Sequence, residues 1–284
     1  MDVWCGDGGG VRGAYTLGVM QSLQTRPFWP DFKAGLYGGN SVMGICNIAL
    51  AQNNTIGSLV EIFPTLAKQI FKKRLFGGLW NAKYGNSGKL AAIKSVIKPY
   101  CKKGLPWIVT TCPFFQDASF AIMTGNVTMS SQHDDAVGAA MATSAAPSYF
   151  PASNGKIDGA VIDNNPIIET VMEAERLDPG AHHRIISIGT GRSFSLVKSN
   201  GDWSGLQWAP HIATAFMNAN ETKERHAIRG MLLESRIKFT IERYNSVLPR
   251  QILLDDVSAI PELIQWGRAA ATSENCTLYG SSFS

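Results

Sequence analysis

Short apolar runs that end in glycines alternate along this chain with longer segments of helical periodicity, and this alternation restricts the fold more than any other feature. The runs include VWC at residues 3–5, AGLYGG at 34–39 and RIISIGTG at 184–191. Apolar residues at helical spacing follow the first two runs, over 11–24 and 42–52. Strands that alternate with helices in this way pack into α/β layers. The sequence therefore predicts an α/β fold.

The remaining segments extend the same pattern. We predict a mostly helical stretch over 56–104, strands at 106–114 and 118–125, a helix over 134–143, a short strand and a helix start within 156–166, a helix near 208–218, strands at 238–244 and 251–256, and a last helix near 258–272. No internal repeat or low-complexity linker divides the chain, so we expect a single domain over residues 1–284.

Composition argues against several classes of protein. Of the 284 residues, 45% are hydrophobic and 17% are charged, which is typical of a globular protein and not of a disordered one. Five scattered cysteines without a C-x-x-C pair argue against zinc and against a disulfide framework. No apolar segment reaches the roughly 18 residues of a membrane span, and Asp2 and Asp7 interrupt any signal peptide. We therefore expect a cytoplasmic protein.

The net charge of +4 is mildly basic. It does not require a nucleic-acid partner, and none is expected; an anionic lipid surface would suit it equally well. The segments 68–80 and 98–107 interleave basic residues with Phe, Leu, Tyr or Trp. We interpret them either as peripheral contacts to a membrane surface or as solvated helix faces.

The loop DGGGVRG at 7–13 is the first candidate site. Because glycine has no Cβ, Gly8, Gly9 and Gly10 can turn their N–H groups toward a negative charge at close range. A helix that starts after them adds its positive end. The loop therefore suits either a phosphate or the oxyanion of an acyl-transfer reaction.

Two other interpretations of this loop stay open. With Gly13 at its end it satisfies G-x-G-x-x-G, the dinucleotide-binding pattern. Asp31 lies near the spacing of the ribose-binding acid, but in a proline-broken segment and not at a strand end. The last alternative is a tight strand–helix turn without a ligand.

Ser41 lies in YGGNSVMG, between a predicted strand and a predicted helix. This is the context of a nucleophile elbow, G-x-S-x-G, in which a serine is exposed on a sharp turn. Gly39 supplies the first glycine, whereas Met43 replaces the last and Gly44 follows one position later. The alternative is a serine that caps the helix beginning at Val42.

Asp158 follows a short apolar run and precedes the small residues Gly159 and Ala160. A partly buried carboxylate there could accept the proton of a serine nucleophile. An Asx turn is the alternative, and Asp163 in the same loop competes for either role. A Ser-His-Asp triad is not favoured, because no histidine lies at a glycine-rich strand end; the histidines are His133, His182 and His183 in the polar loop DPGAHHR, His211 and His226.

These three segments, in this order, resemble the patatin-like phospholipase family. The matching strings are DGGGVRG as the oxyanion loop, GNSVMG as the elbow, and DGA at 158–160 as the segment with the base. Four more strings agree: ATSAAPSYFPA at 142–152, NNP at 164–166, SIGTG at 187–191 and LLDDVSAIPELIQWG at 253–267. The resemblance covers nearly the whole chain.

The resemblance implies a three-layer α/β/α sandwich with a mostly parallel central sheet. It also implies a lipid acyl hydrolase that uses Ser41 as the nucleophile and Asp158 as the base, with no metal or cofactor. The substrate would be a phospholipid or another acyl lipid, and the oligomeric state stays open. Rival functions are an esterase or thioesterase for soluble substrates and a catalytically silent lipid-binding module, which Met43 favours.

The glycine loop would form the oxyanion hole in this family. The backbone N–H groups of Gly8, Gly9 and Gly10 would hold the oxyanion, helped by the N–H of Val42. Arg12 stands where the family carries a basic residue, and we expect it to brace the loop. Met43 would change the packing of the elbow or the shape of the acyl pocket.

Overall fold

A computed structural model describes residues 1–27, 31–74, 81–99, 104–113, 121–125, 135–192 and 237–280. The strands are β1 (Asp2–Gly6), β2 (Ala34–Gly39), β3 (Trp107–Pro113), β4 (Ala121–Gly125), β5 (Lys156–Asp158), β6 (His182–Ile188), β7 (Lys238–Tyr244) and β8 (Cys276–Gly280). The α-helices are α1 (Gly13–Leu23), α2 (Ser41–Ala51), α3 (Ile56–Ile70), α4 (Asn86–Val96), α5 (Ala136–Thr143), α6 (Ile167–Leu177) and α7 (Ile260–Ala270).

The described strands form one sheet in the order β4-β3-β2-β1-β6-β7-β8. The five strands from β3 to β7 in this order are parallel, and β4 and β8 are antiparallel edges. Thr111 of β3 pairs with Ala121 on one side and with Asp158 of β5 on the other. The short strand β5 therefore continues the sheet beyond the end of β2, which pairs with β3 only as far as Val109.

Helices cover both faces of this sheet. On one face α6 packs Ile167, Val171 and Ala174 against strand residues such as Val3 and Leu36. On the other face a larger apolar cluster joins the sheet to the remaining helices, with contributions from α1, α2, α3, α4, α5 and α7. The three-layer α/β/α sandwich with a mostly parallel sheet is therefore confirmed.

Most predicted elements are present, with shifted ends. Within its described residues, the stretch 56–104 contains the helices α3 and α4, and β8 was not predicted. The predicted strand at 251–256 is wrong: this segment is a turn, and the carbonyl of Leu254 accepts the N–H of Val11 in place of a strand partner. The predicted helix near 208–218 lies outside the described residues, as do parts of the basic segments 68–80 and 98–107.

The parallel strands determine where a site can form. Their carboxyl ends meet at one edge of the sheet, so Gly6 of β1, Gly39 of β2 and Ile188 of β6 lie side by side. In open α/β sheets this edge is where ligands bind, because helix N-termini and loops converge there. Within the described ranges, no helix is long and apolar enough to cross a bilayer.

Candidate active site

Ser41 is the first residue of α2 and lies directly beyond the carboxyl end of β2. Its φ angle is 51°, in the left-handed region that non-glycine residues rarely adopt. Such strain concentrates at functional sites, and a strained strand–turn–helix serine is the geometry of a nucleophile elbow. The N-cap position of α2 belongs to Asn40, so the alternative in which Ser41 caps the helix is wrong.

A chain of hydrogen bonds holds this turn in place. The backbone N–H of Ser41 donates to Oγ1 of Thr143 at 3.1 Å, and the Thr143 hydroxyl donates to Oδ1 of Asn40 at 3.0 Å. Nδ2 of Asn40 in turn donates to the carbonyl of Asp163 at 2.7 Å. Asn40 and Thr143 are fully buried polar side chains that the sequence analysis missed. Asn40 lies between the predicted strand at 34–39 and the predicted helix at 42–52, and Thr143 is the last residue of the predicted helix at 134–143, so no local pattern pointed to their burial.

Met43 packs beneath the turn, away from the face that Ser41 presents. Its side chain is fully buried, and a Cβ at Gly6 would stand 2.8 Å from Met43 Cβ. The missing side chain at Gly6 therefore makes room for Met43. At Gly39 a Cβ would meet the Met43 carbonyl oxygen at 2.6 Å, which explains the first glycine of the elbow. Met43 does not line the cavity beside Ser41, so the structure gives no support to the predicted change in the shape of an acyl pocket.

Asp158 is the last residue of β5 and comes to the same edge of the sheet. Asp158 is 2% exposed and lines the same cavity as Ser41, whose side chain acts to lower the pKa of the carboxyl. Oδ1 also accepts the backbone N–H of Ala160 at 2.9 Å, and its own N–H donates to the carbonyl of Ala145 at 3.1 Å. Asp158 thus forms the Asx turn that was one of its two interpretations, and its role as the base stays a prediction.

The surroundings of Asp158 change the pKa of its carboxyl group. Burial raises the pKa of its carboxyl from 3.8 to about 6. Hydrogen bonds from Ser41 and Ala160 and the positive charge of Lys89 oppose this rise. A carboxylate with a pKa near 6 is ionised at neutral pH, yet is more basic than an exposed aspartate.

Lys89 is a second residue that the sequence analysis missed. It is fully buried on α4, and its Nζ donates to the carbonyls of Met141 at 3.2 Å and Ser144 at 3.1 Å. The ring of Phe150 lies 4.5 Å from the ammonium group. Burial lowers the pKa of Lys89 to about 8, and the negative charge of Asp158 opposes this change.

The glycine loop reaches the site from β1, but its first glycine does not act as predicted. The N–H of Gly8 already donates to the carbonyl of Asn164 at 3.1 Å, so Gly8 is withdrawn from the expected oxyanion donors. Its own carbonyl accepts from Oγ1 of Thr190 at 3.0 Å and from Nδ2 of Asn164 at 3.2 Å. Gly8 therefore fixes the base of the loop.

Gly9 and Gly10 line the same cavity as Ser41. Gly10 has a φ angle of 57°, which favours glycine, and a Cβ there would collide with the carbonyl oxygen of Leu254. Within the described residues the backbone N–H groups of Gly9, Gly10 and Val42 make no hydrogen bond. The N–H of Val42 belongs to the positive end of α2. Three donors thus remain near the serine.

Buried charges support the loop from below. Both carboxylate oxygens of Asp7 pair with the guanidinium of Arg243 on β7, at 2.6 and 2.5 Å. Arg12 is 3% exposed, and its guanidinium donates to the carbonyl of Gly191 at 3.5 Å. Burial lowers the pKa of Arg12 to about 10, opposed by the charge of Asp7. Arg12 contacts the scaffold and does not line the cavity described below.

The other two predicted motif glycines lie at close contacts between elements. A Cβ at Gly13 would stand 2.9 Å from the Val42 side chain, where the start of α1 meets α2. A Cβ at Gly159 would stand 2.6 Å from the backbone of Thr110 on β3. Both glycines therefore position the segments that carry the site.

The competing candidates lie elsewhere. Asp163 uses Oδ1 to accept the N–H of Asn165 and is not part of the cavity wall. His182 and His183, predicted in a loop, begin β6 at the amino edge of the sheet, opposite Ser41. Asp31 precedes β2 at that same edge, so the dinucleotide interpretation loses its acidic residue. His133, His211 and His226 lie outside the described residues.

A cavity of about 400 Å³ opens beside Ser41 and Asp158. Gly9, Gly10 and Lys89 line it close to these two residues. Its apolar wall comes mainly from α2 and α3, with Val42, Ile45, Cys46, Ala49, Leu59, Phe63, Leu66, Ala67 and Ile70. An apolar cavity with a few convergent polar groups is the usual form of a small-molecule site.

The comparison with protein families decides the relationship. The family described as Patatin-like phospholipase matches residues 5–171, which include the glycine loop, Ser41 and Asp158. The chain belongs to the patatin-like phospholipase family. Residues beyond this match, among them Thr190, Arg243 and Leu254, hold the glycine loop in place.

Curated relatives of this patatin-like chain carry phospholipase names. A cGAMP-activated phospholipase of Escherichia coli is 25% identical over 301 residues, covering 89% of this chain and 83% of the relative. A cGAMP-activated phospholipase of Pseudomonas aeruginosa is 26% identical over 79% of this chain and 73% of its own. The calcium-independent phospholipase A2-gamma of Oryctolagus cuniculus is 32% identical, but over only 40% of this chain and 15% of the relative.

Proposed function

We propose that this chain is a lipid acyl hydrolase of the phospholipase type, with Ser41 as the nucleophile and Asp158 as the general base. The observation that carries the proposal is that the strained serine and the buried carboxylate line the same cavity, close enough for the Ser41 side chain to lower the pKa of Asp158. This pair stands at the wall of an apolar cavity large enough for part of an acyl lipid. Family membership and the names of the relatives support the same reaction class.

The reaction follows from this geometry. Oγ of Ser41 attacks the ester carbonyl while Asp158 takes the hydroxyl proton, and the carbonyl oxygen becomes an oxyanion. The N–H groups of Gly9, Gly10 and Val42 stabilise that oxyanion. Collapse of the tetrahedral intermediate breaks the ester bond, and Asp158 returns its proton to the leaving alcohol. Water, deprotonated by Asp158, then attacks the acyl-enzyme. The bond between Oγ of Ser41 and the acyl group breaks, the fatty acid leaves, and Asp158 returns the proton to Oγ.

The cavity favours a long acyl chain over a short soluble ester. Its wall is almost entirely apolar, and each buried methylene of a bound chain contributes about 0.8 kcal/mol. Val161, which lines the cavity, is 40% exposed, so the opening offers an apolar residue to a lipid surface. We therefore place the substrate among phospholipids or related acyl lipids, reached by peripheral membrane contact.

A catalytically silent lipid-binding module is the competing function. Met43 was the feature in its favour, and Met43 lies beneath the turn without obstructing Ser41. A binding protein needs neither backbone N–H groups without hydrogen bonds nor a buried carboxylate with a raised pKa. Both features are typical of catalytic sites. Hydrolysis is accordingly the proposal that the site supports.

Fatty-acid release from phospholipid vesicles tests the proposal. Because two relatives are named as cGAMP-activated, each assay is run with and without cGAMP, and we propose that the nucleotide raises the rate. Ser41→Ala and Asp158→Asn should abolish release, whereas the exposed Ser258→Ala should not change it. Release that persists in Ser41→Ala would refute the assignment. Faster turnover of short p-nitrophenyl esters than of vesicles would move the substrate to the soluble class.

A further inference from the structure

The turn at the end of α5 connects three groups of the site. Thr143 accepts the backbone N–H of Ser41, and the carbonyl of Ala145 accepts the backbone N–H of Asp158. Between and beside these residues, the carbonyls of Met141 and Ser144 accept the ammonium of Lys89. One short turn therefore contacts both residues of the dyad and the buried lysine.

Burying the ammonium group of Lys89 costs free energy of folding. A fully buried ammonium loses its hydration, and two neutral carbonyls with one aromatic ring replace only part of it. The carbonyls belong to the C-terminal end of α5, where the helix dipole favours a positive charge. Lys89 also lines the same cavity as Ser41 and Asp158, so its charge lies within the site.

We propose that Lys89 is a positioning residue of the hydrolytic site: it fixes the α5 turn that orients Ser41 and Asp158, and its charge keeps Asp158 ionised for proton transfer. This inference rests on the proposed function. It assigns no contact with the substrate to Lys89; the lysine acts through the turn and through the carboxylate.

The charged and titratable groups around Asp158 are few. From α2 the Ser41 hydroxyl donates to it, and from α4 Lys89 acts on it as a positive charge, while its own loop supplies the N–H of Ala160. Conversely, Asp158 is the charged group that acts on Lys89. Removing the lysine charge should therefore raise the pKa of Asp158, and the protonated carboxyl cannot accept the serine proton.

The test is the pH dependence of Ser41 labelling by an organophosphonate, measured from about pH 5 to pH 9. Lys89→Gln removes the charge but keeps a donor for the two carbonyls, Lys89→Met removes both, and Lys89→Arg keeps the charge. Lys94→Gln, exposed on the same helix, is the matched control. Circular dichroism establishes that each variant is folded, and Lys89→Met supplies the neutral comparison if Lys89→Gln does not fold.

In the wild type the labelling rate should rise with pH around pH 6, where Asp158 loses its proton; this rise is the acid limb of the pH profile. In both neutral variants it should move to higher pH, because Asp158 loses a nearby positive charge. Lys89→Arg and Lys94→Gln should keep the limb in place. The plateau rate at high pH should be lower in Lys89→Met than in Lys89→Gln, because only the former loses the link to the turn.

Two results would overturn the inference: an acid limb in Lys89→Gln that overlays the wild type, or one in Lys89→Arg that moves as far as in the neutral variants. Failure of the proposed function looks different. In that case the wild-type protein itself neither becomes labelled at Ser41 nor releases fatty acid with or without cGAMP.

Discussion

The variant Asp158→Asn should be more stable than the wild-type protein at neutral pH, and this gain should shrink in acid. Asp158 is 2% exposed, and burial raises its pKa from 3.8 to about 6. The folded protein therefore binds the Asp158 proton more tightly than the unfolded chain does. The stability contributed by this group is fully present below about pH 4 and is lost as the pH rises through about 6. Asparagine is uncharged and escapes that loss.

The size of the gain follows from the change in pKa. A difference of about two units corresponds to about 3 kcal/mol in the free energy of unfolding at neutral pH. Part of this gain is offset, because in the variant Lys89 loses the negative charge that partly compensates the burial of its ammonium group. Asparagine can still accept the N–H of Ala160. We expect a net gain of about 1–3 kcal/mol near pH 7.5 and about half of it near pH 5.

Urea unfolding followed by tryptophan fluorescence measures this difference at both pH values. Asp31→Asn is the control, since that residue is exposed and should show little change with pH. The reasoning would be refuted if the difference in unfolding free energy between variant and wild type were the same at both pH values. It would also be refuted if the variant became less stable relative to the wild type as the pH rises. Combined with lost activity, the predicted gain would show that burial of this carboxylate serves the reaction and not the fold.

Three further substitutions test the surroundings of the serine. Thr143→Val removes the acceptor of the Ser41 N–H and should lower kcat for fatty-acid release about tenfold, with the melting temperature as the folding control. Gly10→Ala forces a Cβ toward the Leu254 carbonyl and displaces an oxyanion donor, so release should fall about 100-fold; unchanged release would remove this loop from the mechanism. Met43→Ala should cost about 2–5 kcal/mol in urea unfolding yet leave organophosphonate labelling of Ser41 intact, because Met43 lies outside the cavity.

Local patterns predicted the α/β class, and they made Ser41 and Asp158 candidates for a nucleophile and a base. The strand–glycine–helix alternation predicted the α/β class, since buried strands and their following helices differ clearly in length and periodicity. The mostly parallel sheet was implied by the resemblance to the patatin-like phospholipase family. Ser41 and Asp158 were found because each follows a strand end and is surrounded by small residues. The failed strand at 251–256 shows the limit of the method: its apolar residues are alternately buried as in a strand, but the Leu254 carbonyl is used by the glycine loop.

The residues that support the site could not be predicted, because their hydrogen-bond and ion-pair partners are distant in sequence. Nothing local to Gly8 shows that Asn164 takes its N–H, and nothing local to Asp7 points to Arg243. One feature of the sequence does point to the burial of Lys89. It stands four residues before Ile93, on the same face of α4, and Ile93 is fully buried. A lysine on an apolar helix face indicates either a solvated edge or, as here, a buried charge.

The most direct test of the account is to map the adduct of an organophosphonate by mass spectrometry after reaction at about pH 8, with and without cGAMP. We predict one adduct, on Ser41 in the wild-type protein, absent from Ser41→Ala and strongly reduced in Asp158→Asn. An adduct on a different residue, or fatty-acid release by a protein whose Ser41 stays unmodified, would contradict the central claim that these two residues form the hydrolytic dyad.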